Sequence, residues 1–272
     1  MIGYVKSINK RGKTIHAADG GNGFGSNLAH GHMETETVTA LEACRAKGIT
    51  LVYATARPAR ATWHLPVVPD YVLANNGATV MRGQTVLRTQ NIPRETAQAA
   101  LDVFLACPSV AWVGVEDGER VLTTWQGPDW GEGWNATYTS FEKCLAADVP
   151  KLTVQCAAAE AVAACMADFP TLKCFANRGE DWSQIQLRDV SKGAATAWLA
   201  TSLGIALSEI LAFGDDENDL EMLRICGKGI AVANASEAVR VAADEVCGSH
   251  DSQGVACWLQ SHILCLDGGF LA

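Results

Sequence analysis

The sequence lacks any pair of cysteines in the C-x-x-C spacing, although it contains ten cysteines. Zinc ribbons and thioredoxin-like redox sites depend on that spacing, because two thiolates must reach one ion or one another. We therefore interpret the cysteines as reduced thiols that serve as small hydrophobic residues in the core. Neither a cysteine-based metal site nor a dithiol redox site is predicted.

Long apolar segments are also missing from the sequence. No stretch approaches the ~20 apolar residues that a membrane-spanning helix needs. Residues 1–15 include four basic residues but no apolar run of signal-peptide length. We therefore expect a cytoplasmic protein that has no membrane partner.

A surplus of basic residues is absent as well, because 21 lysines and arginines face 30 aspartates and glutamates, for a formal charge of −9. A general nucleic-acid binder needs a basic surface, so nucleic acid is not an expected partner. A small phosphorylated ligand remains compatible with this charge, because Mg²⁺ or a few local cations can hold it. Hydrophobic residues are plentiful at 49%, and 272 residues suffice for a core domain with a second, inserted domain.

Two regions of the sequence alternate helix and strand patterns. The predicted elements are a helix at 34–47, strands at 49–54 and 71–74, strands at 210–213 and 229–233, a helix through Met222 and a helix at 236–243. Gly48 closes the first helix, as a C-terminal cap would. Strands that alternate with helices indicate a parallel sheet with helices on both faces.

The segment between these two regions has a different pattern. It predicts hairpins at 79–87 and 111–124, helices at 93–106 and 157–168, and strands at 151–156, 171–175 and 183–187. This is an α+β set. We therefore predict an α/β protein whose Rossmann-like parallel-sheet core comprises residues 1–81 and 188–272. An inserted α+β cap domain is predicted at residues 82–187.

Polar clusters follow the predicted strands of the core. They are Asp19-Gly20-Gly21, Thr55-Ala56-Arg57 and the acidic run 214–219, and Ser191-Lys192-Gly193 opens the helix that returns the chain to the core. Ligands of open parallel sheets bind beyond the carboxyl ends of the strands. Carboxylates there can hold Mg²⁺, while lysine and hydroxyl groups can bind phosphoryl oxygens. Each cluster alone has an ordinary structural interpretation, such as a surface lysine or a helix N-terminus rich in acids.

The order and wording of the motifs are more specific than any single cluster. They read Gly214-Asp215-x-x-Asn218-Asp219-x-x-Met222-Leu223, then GIAVANA at 229–235 and GVA at 254–256, with NNGA at 75–78 and Ser191-Lys192-Gly193 earlier. Together they resemble the Cof-type branch of the haloacid dehalogenase superfamily, over nearly the whole chain after residue 34. The resemblance implies a class IIB cap and a Mg²⁺-dependent phosphatase that forms an aspartyl-phosphate. A sugar phosphate is the substrate that it suggests.

The resemblance also implies roles for individual residues. Thr55 matches the phosphate-binding hydroxyl, Lys192 matches the lysine that neutralises nucleophile and phosphate, and Asp215 matches the Mg²⁺-binding carboxylate. Asn218 and Asp219 would position metal, water and lysine. Arg57 is either a phosphate contact or an exposed arginine after a strand. The candidate residues are thus Asp19, Thr55, Lys192 and Asp219 for catalysis, Thr55, Arg57, Lys192 and Asn218 for substrate, and Asp19, Asp215 and Asn218 for metal.

The first motif departs from the family pattern Asp-x-Asp-Gly-Thr, because residues 16–23 read HAADGGNG and contain one carboxylate. In one register Asp19 is the second aspartate, Gly20 matches, and Ala17 occupies the nucleophile position. In the other register Asp19 is the nucleophile, Gly21 replaces the acid/base, and Phe24 falls on an apolar position. The first register predicts a dead or nearly dead phosphatase. The second predicts a slow one, since acid/base catalysis contributes ~10²–10⁴-fold.

Three interpretations follow from the damaged motif. The leading one is a Mg²⁺-dependent hydrolase of a small phosphorylated metabolite with impaired activity. The second is a catalytically inactive homologue that binds phosphate or a sugar phosphate in a regulatory or partner-binding role. The third is that residues 1–27, which resemble the family least, are not the natural start of the chain.

Overall fold

A computed structural model describes residues 13–19, 33–127, 135–141, 143–176 and 181–265, with residues 13–19 described by their backbone. The helices are α1 Thr35–Ala46, α2 Arg94–Ala106, α3 Ala159–Met166, α4 Lys192–Leu203, α5 Leu220–Ile225, α6 Glu237–Ala242 and α7 Gly254–Leu259. The strands are β1 Lys13–Asp19, β2 Ile49–Thr55, β3 Tyr71–Ala74, β4 Thr79–Arg82, β5 Thr85–Thr89, β6 Val110–Glu116, β7 Val121–Thr123, β8 Ala136–Tyr138, β9 Lys151–Cys156, β10 Leu172–Ala176, β11 Trp182–Leu187, β12 Ile210–Gly214, β13 Lys228–Val232 and β14 Glu245–Cys247.

The described part of the chain forms two compact units, one reaching Leu87 and resuming at Ser191, the other spanning Arg88–Val190. The first unit is built on a sheet with the strand order β14-β13-β12-β1-β2-β3-β4-β5. All neighbours from β14 to β3 are parallel, and β4 runs antiparallel to β3. The predicted α/β class with a parallel-sheet core is confirmed. The assignment of residues 82–187 as a cap domain stays a prediction.

The core of the first unit surrounds the central strands of its sheet. β2 is buried along almost its whole length, and Leu51 and Val52 have no exposed side-chain surface. Strands of a parallel sheet are covered on both faces, so their sequences are continuous apolar runs rather than alternating ones. The phenol of Tyr53 is also buried, where its hydroxyl donates to the Val67 carbonyl at 2.9 Å. Burial raises the pKa of Tyr53 well above its usual value.

The second unit is an α+β set, as the sequence indicates. Its sheet has the order β10-β11-β9-β6-β7-β8, and its neighbours are antiparallel except for the parallel pair β7 and β8. Residues of α2 and α3, among them Leu101, Phe104 and Val162, join the sheet residues Val113 and Val154 in one hydrophobic cluster. This unit therefore has a core of its own.

Short edge elements were not predicted from the sequence. β8 and β14 each have three residues and lie at the ends of their sheets, and α7 has six residues. Three residues are too few to show a period, so such strands carry no pattern of their own. No helix in the described ranges is long and apolar enough to span a bilayer.

Candidate functional site

The polar clusters lie along one edge of the parallel sheet. In the backbone register of β1 and β2, the Cα of Asp19 is paired with that of Thr55. On the other side of β1, Ala17 is paired with Phe213, so Asp215 follows the end of the adjacent strand β12. Because all three strands are parallel, Asp19, Thr55 and Asp215 occupy their carboxyl ends, where ligands of such sheets bind.

Thr55 is fixed by the turn that follows β2. Its side chain is 1% exposed, and its Oγ1 accepts a hydrogen bond from the backbone N–H of Arg57 at 3.0 Å. The carbonyl of Arg57 accepts in turn from the N–H of Asn75 at 2.9 Å. These bonds tie the turns after β2 and β3 to each other. The hydroxyl of Thr55 therefore has a defined direction at the sheet edge.

Lys192 is fully buried, which excludes the interpretation of a solvated surface lysine. It is the first residue of α4, whose N-cap Ser191 accepts from the N–H of Ala194 at 2.9 Å. The ammonium lies 2.7 Å from Oδ1 of Asp219 and 3.1 Å from Oδ1 of Asn218. A buried charge requires such compensation, since the cost of removing it from water is otherwise several kcal/mol. The packing of α4 in the fold places its first side chain at the acidic loop.

Both carboxylate oxygens of Asp219 are engaged with the protein. Oδ1 binds Lys192, and Oδ2 accepts from the N–H groups of Asp215 and Asp216 at 3.0 and 3.2 Å. The loop closes tightly, since a Cβ at Gly214 would lie 2.6 Å from the Cβ of Asp219. Asp219 therefore holds the loop and the lysine in place, and its role in catalysis stays a prediction.

Asn218 connects Lys192 to a residue that sequence reasoning did not single out for function. Its Oδ1 faces the ammonium, and its Nδ2 donates to Oδ1 of Asn76 at 3.1 Å. Asn76 belongs to the NNGA segment that contributed to the resemblance, which is the signal that could have drawn attention to it. The side-chain oxygen of Asn218 is directed at Lys192. Direct binding of a metal ion by Asn218 therefore stays a prediction.

The carboxylates of the site suit Mg²⁺. Within the described ranges no three His, Cys, Asp or Glu side chains form a metal cage. Mg²⁺ is commonly held by one or two carboxylates, with waters and substrate phosphate completing its octahedron. Asp215 meets this need, because its Oδ1 is buried at the sheet edge and its backbone is held at both ends, by Asp219 and by the N–H of Ser236. The backbone of Asp19 ends the adjacent strand β1, and its role as a second Mg²⁺ ligand stays a prediction. Gly20, Gly21 and Phe24 lie outside the described residues.

The fold is shared with solved structures of known class. A haloacid dehalogenase-like hydrolase from B. subtilis has a TM-score of 0.77 and 23% identity, covering 90% of this chain and 98% of that one. The subclass IIB sugar phosphatase BT4131 has a TM-score of 0.71 and 21% identity, covering 86% and 93%. At these identities the likeness shows the fold. It is that of an α/β protein with a parallel-sheet core and an inserted second unit.

Sequence comparison defines the family. The family model for haloacid dehalogenase-like hydrolase matches residues 28–259. The chain belongs to this family, and the resemblance drawn from the motifs is confirmed. The phosphoglycolate phosphatase of Archaeoglobus fulgidus is 50% identical over 72 residues, 26% of this chain and 32% of that protein. The pyridoxal phosphate phosphatase YbhA of Escherichia coli is 30% identical over 110 residues, 36% and 40% of the two chains. The chain thus matches less than half the length of either relative.

Proposed function

We propose that the protein is a Mg²⁺-dependent phosphoric monoester hydrolase that acts on a small phosphorylated metabolite, a sugar phosphate in the first instance. The observation that carries the proposal is the fully buried ammonium of Lys192, held by Asp219 and Asn218 beside the strand ends that bear Thr55 and Asp215. A fixed cation beside carboxylates and a hydroxyl suits phosphoryl transfer, which needs charge stabilisation and alignment more than covalent chemistry. The relatives named above supply the substrate class.

Each residue has a distinct task in the proposed reaction. A carboxylate oxygen of Asp19 attacks phosphorus, the bond from phosphorus to the ester oxygen breaks, and an aspartyl-phosphate forms. The ester oxygen leaves as an alkoxide that takes its proton from water. Water then attacks that phosphorus, which releases phosphate and restores the carboxylate. Lys192 and Thr55 bind the phosphoryl oxygens, and Arg57 is a further contact for the substrate. Bound Mg²⁺ supplies the remaining neutralisation of the phosphoryl charge.

The strand pairing favours Asp19 as the nucleophile over Ala17. Asp19 is level with Thr55, whereas Ala17 is level with Tyr53, two residues or about 6.6 Å farther from the strand end. A nucleophile at position 17 would lie deep in the sheet, away from the phosphate-binding hydroxyl. We therefore propose the register in which Gly21 stands at the acid/base position. The leaving alcohol then has no proton donor there, and turnover should be slower by ~10²–10⁴-fold than in an intact site.

A second function remains a candidate because of the same defect. A homologue without an acid/base still presents Lys192, Thr55 and Asp215 to a phosphate group. Such a protein would bind phosphate or a sugar phosphate and serve in regulation or partner binding. We propose a cytoplasmic location for either function, since no cysteine of the described residues forms a disulfide bond, as in proteins of reducing compartments.

Hydrolysis of p-nitrophenyl phosphate and of a panel of sugar phosphates, with Mg²⁺ and with EDTA, tests the proposal. We expect slow, Mg²⁺-dependent release of phosphate that Asp19→Asn abolishes. Calorimetric titration with inorganic phosphate forms the second arm. There Lys192→Ala should weaken binding by about 1.5–3 kcal/mol through loss of a charge-assisted contact. Binding without hydrolysis would favour the second function. The absence of both phosphate binding and hydrolysis would reject both functions.

A further inference from the structure

The hydrogen bonds among Lys192, Asn218 and Asn76 can run in one direction only. An ammonium group donates and cannot accept, so the amide of Asn218 must present its oxygen to Lys192. The 3.1 Å contact between them has this orientation. The NH₂ group of Asn218 is then turned toward Asn76, whose Oδ1 accepts at 3.1 Å. The flipped amide would place donor against donor at Lys192 and oxygen against oxygen at Asn76, so both neighbours favour the observed orientation.

The backbone around Asn76 has an energetically unfavourable conformation that neighbouring residues keep in place. Asn75, Asn76 and Gly77 have successive positive φ angles of 51°, 55° and 94°. Non-glycine residues with a left-handed backbone conformation are uncommon. Such strained conformations persist only where the surrounding structure enforces them. Here a Cβ on Gly77 would lie 2.4 Å from the carbonyl oxygen of Ser191, and the N–H of Asn75 donates to Arg57. The turn is thus packed against the start of α4, the helix that carries Lys192.

We infer that Asn76 is a positioning residue, which through Asn218 fixes the direction in which Lys192 presents its ammonium. The inference rests on the proposed function, because that function supplies the phosphate as the ligand of Lys192. Asn76 is 2% exposed, and its Oδ1 accepts from the same Asn218 amide whose oxygen faces the lysine. Asp219 and Asn218 together set two of the three N–H directions, and this fixes the rotation of the ammonium about its Cε–Nζ bond. Without Asn76, the Asn218 amide can rotate and one of these directions is lost.

A purely structural role for Asn76, as a residue that tolerates a left-handed turn, predicts a different outcome. Asn75 is a matched control, because it has nearly the same φ and is 3% exposed. Its Oδ1 has no hydrogen-bond partner among the described residues. Glycine adopts positive φ without steric cost, so both Asn75→Gly and Asn76→Gly should preserve the conformation of the turn. The loss of the acceptor for Asn218 is specific to Asn76→Gly.

The experiment measures the Nζ resonance of Lys192 by NMR in the apo protein, assigned by its loss in Lys192→Met. It also measures the affinity for inorganic phosphate by calorimetry with Mg²⁺. We expect Asn76→Gly to broaden or shift the resonance and to weaken phosphate binding about 2- to 10-fold, the worth of one hydrogen bond. Asn75→Gly should change neither, and Asn76→Asp, which keeps an acceptor, should retain the resonance.

An unchanged resonance in Asn76→Gly, or an equal change in Asn75→Gly, would overturn the inference. Should Asn76→Gly fail to fold, loss of the resonance in folded Asn76→Asp would overturn it instead, and its retention would support it. The proposed function fails separately, if the wild-type protein binds no phosphate. In that case the Lys192 resonance of the apo protein still decides the role of Asn76.

Discussion

The ammonium of Lys192 lies 2.7 Å from Oδ1 of Asp219, and neither side chain has any exposed surface. The two residues belong to different elements, since Lys192 begins α4 and Asp219 ends the turn after β12. The favourable Coulomb energy of a buried ion pair is offset by the cost of removing both charges from water. Its consequence for the protein is that neither partner can be removed alone without leaving an uncompensated charge.

Lys192→Met should lower the free energy of unfolding by about 3–5 kcal/mol, because it leaves the carboxylate of Asp219 buried and unpaired. Urea denaturation measures the change. Lys228→Met is the control, since Lys228 is paired with Glu245 while 39% exposed, and exposed pairs contribute about 0–1 kcal/mol. Equal losses in the two variants would show that burial of the Lys192 pair has no energetic consequence.

Asp215→Asn should weaken Mg²⁺ binding about tenfold or more, because it removes the charge of the carboxylate proposed to hold the ion. Calorimetric titration with MgCl₂ measures the affinity. Asp216→Asn is the matched control, because Asp216 is adjacent but its Oδ1 accepts from the N–H of Glu217 at 2.9 Å. The assignment of Asp215 is wrong if both variants bind Mg²⁺ as the wild type does.

Gly21→Asp should raise phosphatase activity, by up to ~10²–10⁴-fold, since it supplies an acid/base two residues after Asp19. Ala17→Asp should give no such gain, because position 17 is level with Tyr53 inside the sheet. Initial rates on p-nitrophenyl phosphate measure both. In an Asp19→Asn background the gain from Gly21→Asp should disappear. Activation by Ala17→Asp alone would establish the opposite register of the first motif.

Gly77→Ala should destabilise the protein more than Gly48→Ala. Both glycines have positive φ, at 94° and 74°, so alanine costs about 1–2 kcal/mol at either position. At Gly77 the new Cβ would also meet the carbonyl oxygen of Ser191 at 2.4 Å, whereas nothing lies within 4 Å at Gly48. Overpacking of this kind adds about 1–3 kcal/mol. Thermal denaturation of the two variants measures the difference, and equal melting temperatures would contradict the close packing.

Glu245 should contribute stability that is present at neutral pH and lost in acid. The hydrogen bond from Lys228, aided by one from Trp258 at 2.6 Å, holds the pKa of this carboxyl below its usual value. A lowered folded-state pKa favours folding above the unfolded pKa, and the gain disappears as the pH falls through the folded pKa. The stability difference between wild type and Glu245→Gln should therefore shrink from pH 7 to below pH 4. Urea denaturation of both proteins across this pH range measures the difference, and a difference that stays constant would contradict the prediction.

The sequence was sufficient to predict the parallel sheet and the motifs at its edge. Apolar runs such as 49–55 are buried on both faces in the structure, and the helix predicted at 34–47 is observed as Thr35–Ala46. These features are local, since a run of apolar side chains or a capping glycine acts within a few residues of itself. The assignment of Thr55, Lys192 and Asp215 to one edge also followed from the sequence, because parallel strands end on the same side.

The tertiary structure alone decided how the site is held together. Lys192 is 26 residues from Asn218, and Asn218 is 142 residues from Asn76. No periodicity spans such distances, so the burial of the ammonium and the direction of the amide depend on how α4 packs against the turns after β3 and β12. The pairing of Asp19 with Thr55 likewise depends on strand register, which hydrogen bonds between the strands determine. The sequence by itself determined which chemical groups are present at the sheet edge. Their partners and directions were determined by packing, because an ion pair or amide contact forms only where the folded backbone brings both groups within about 3 Å.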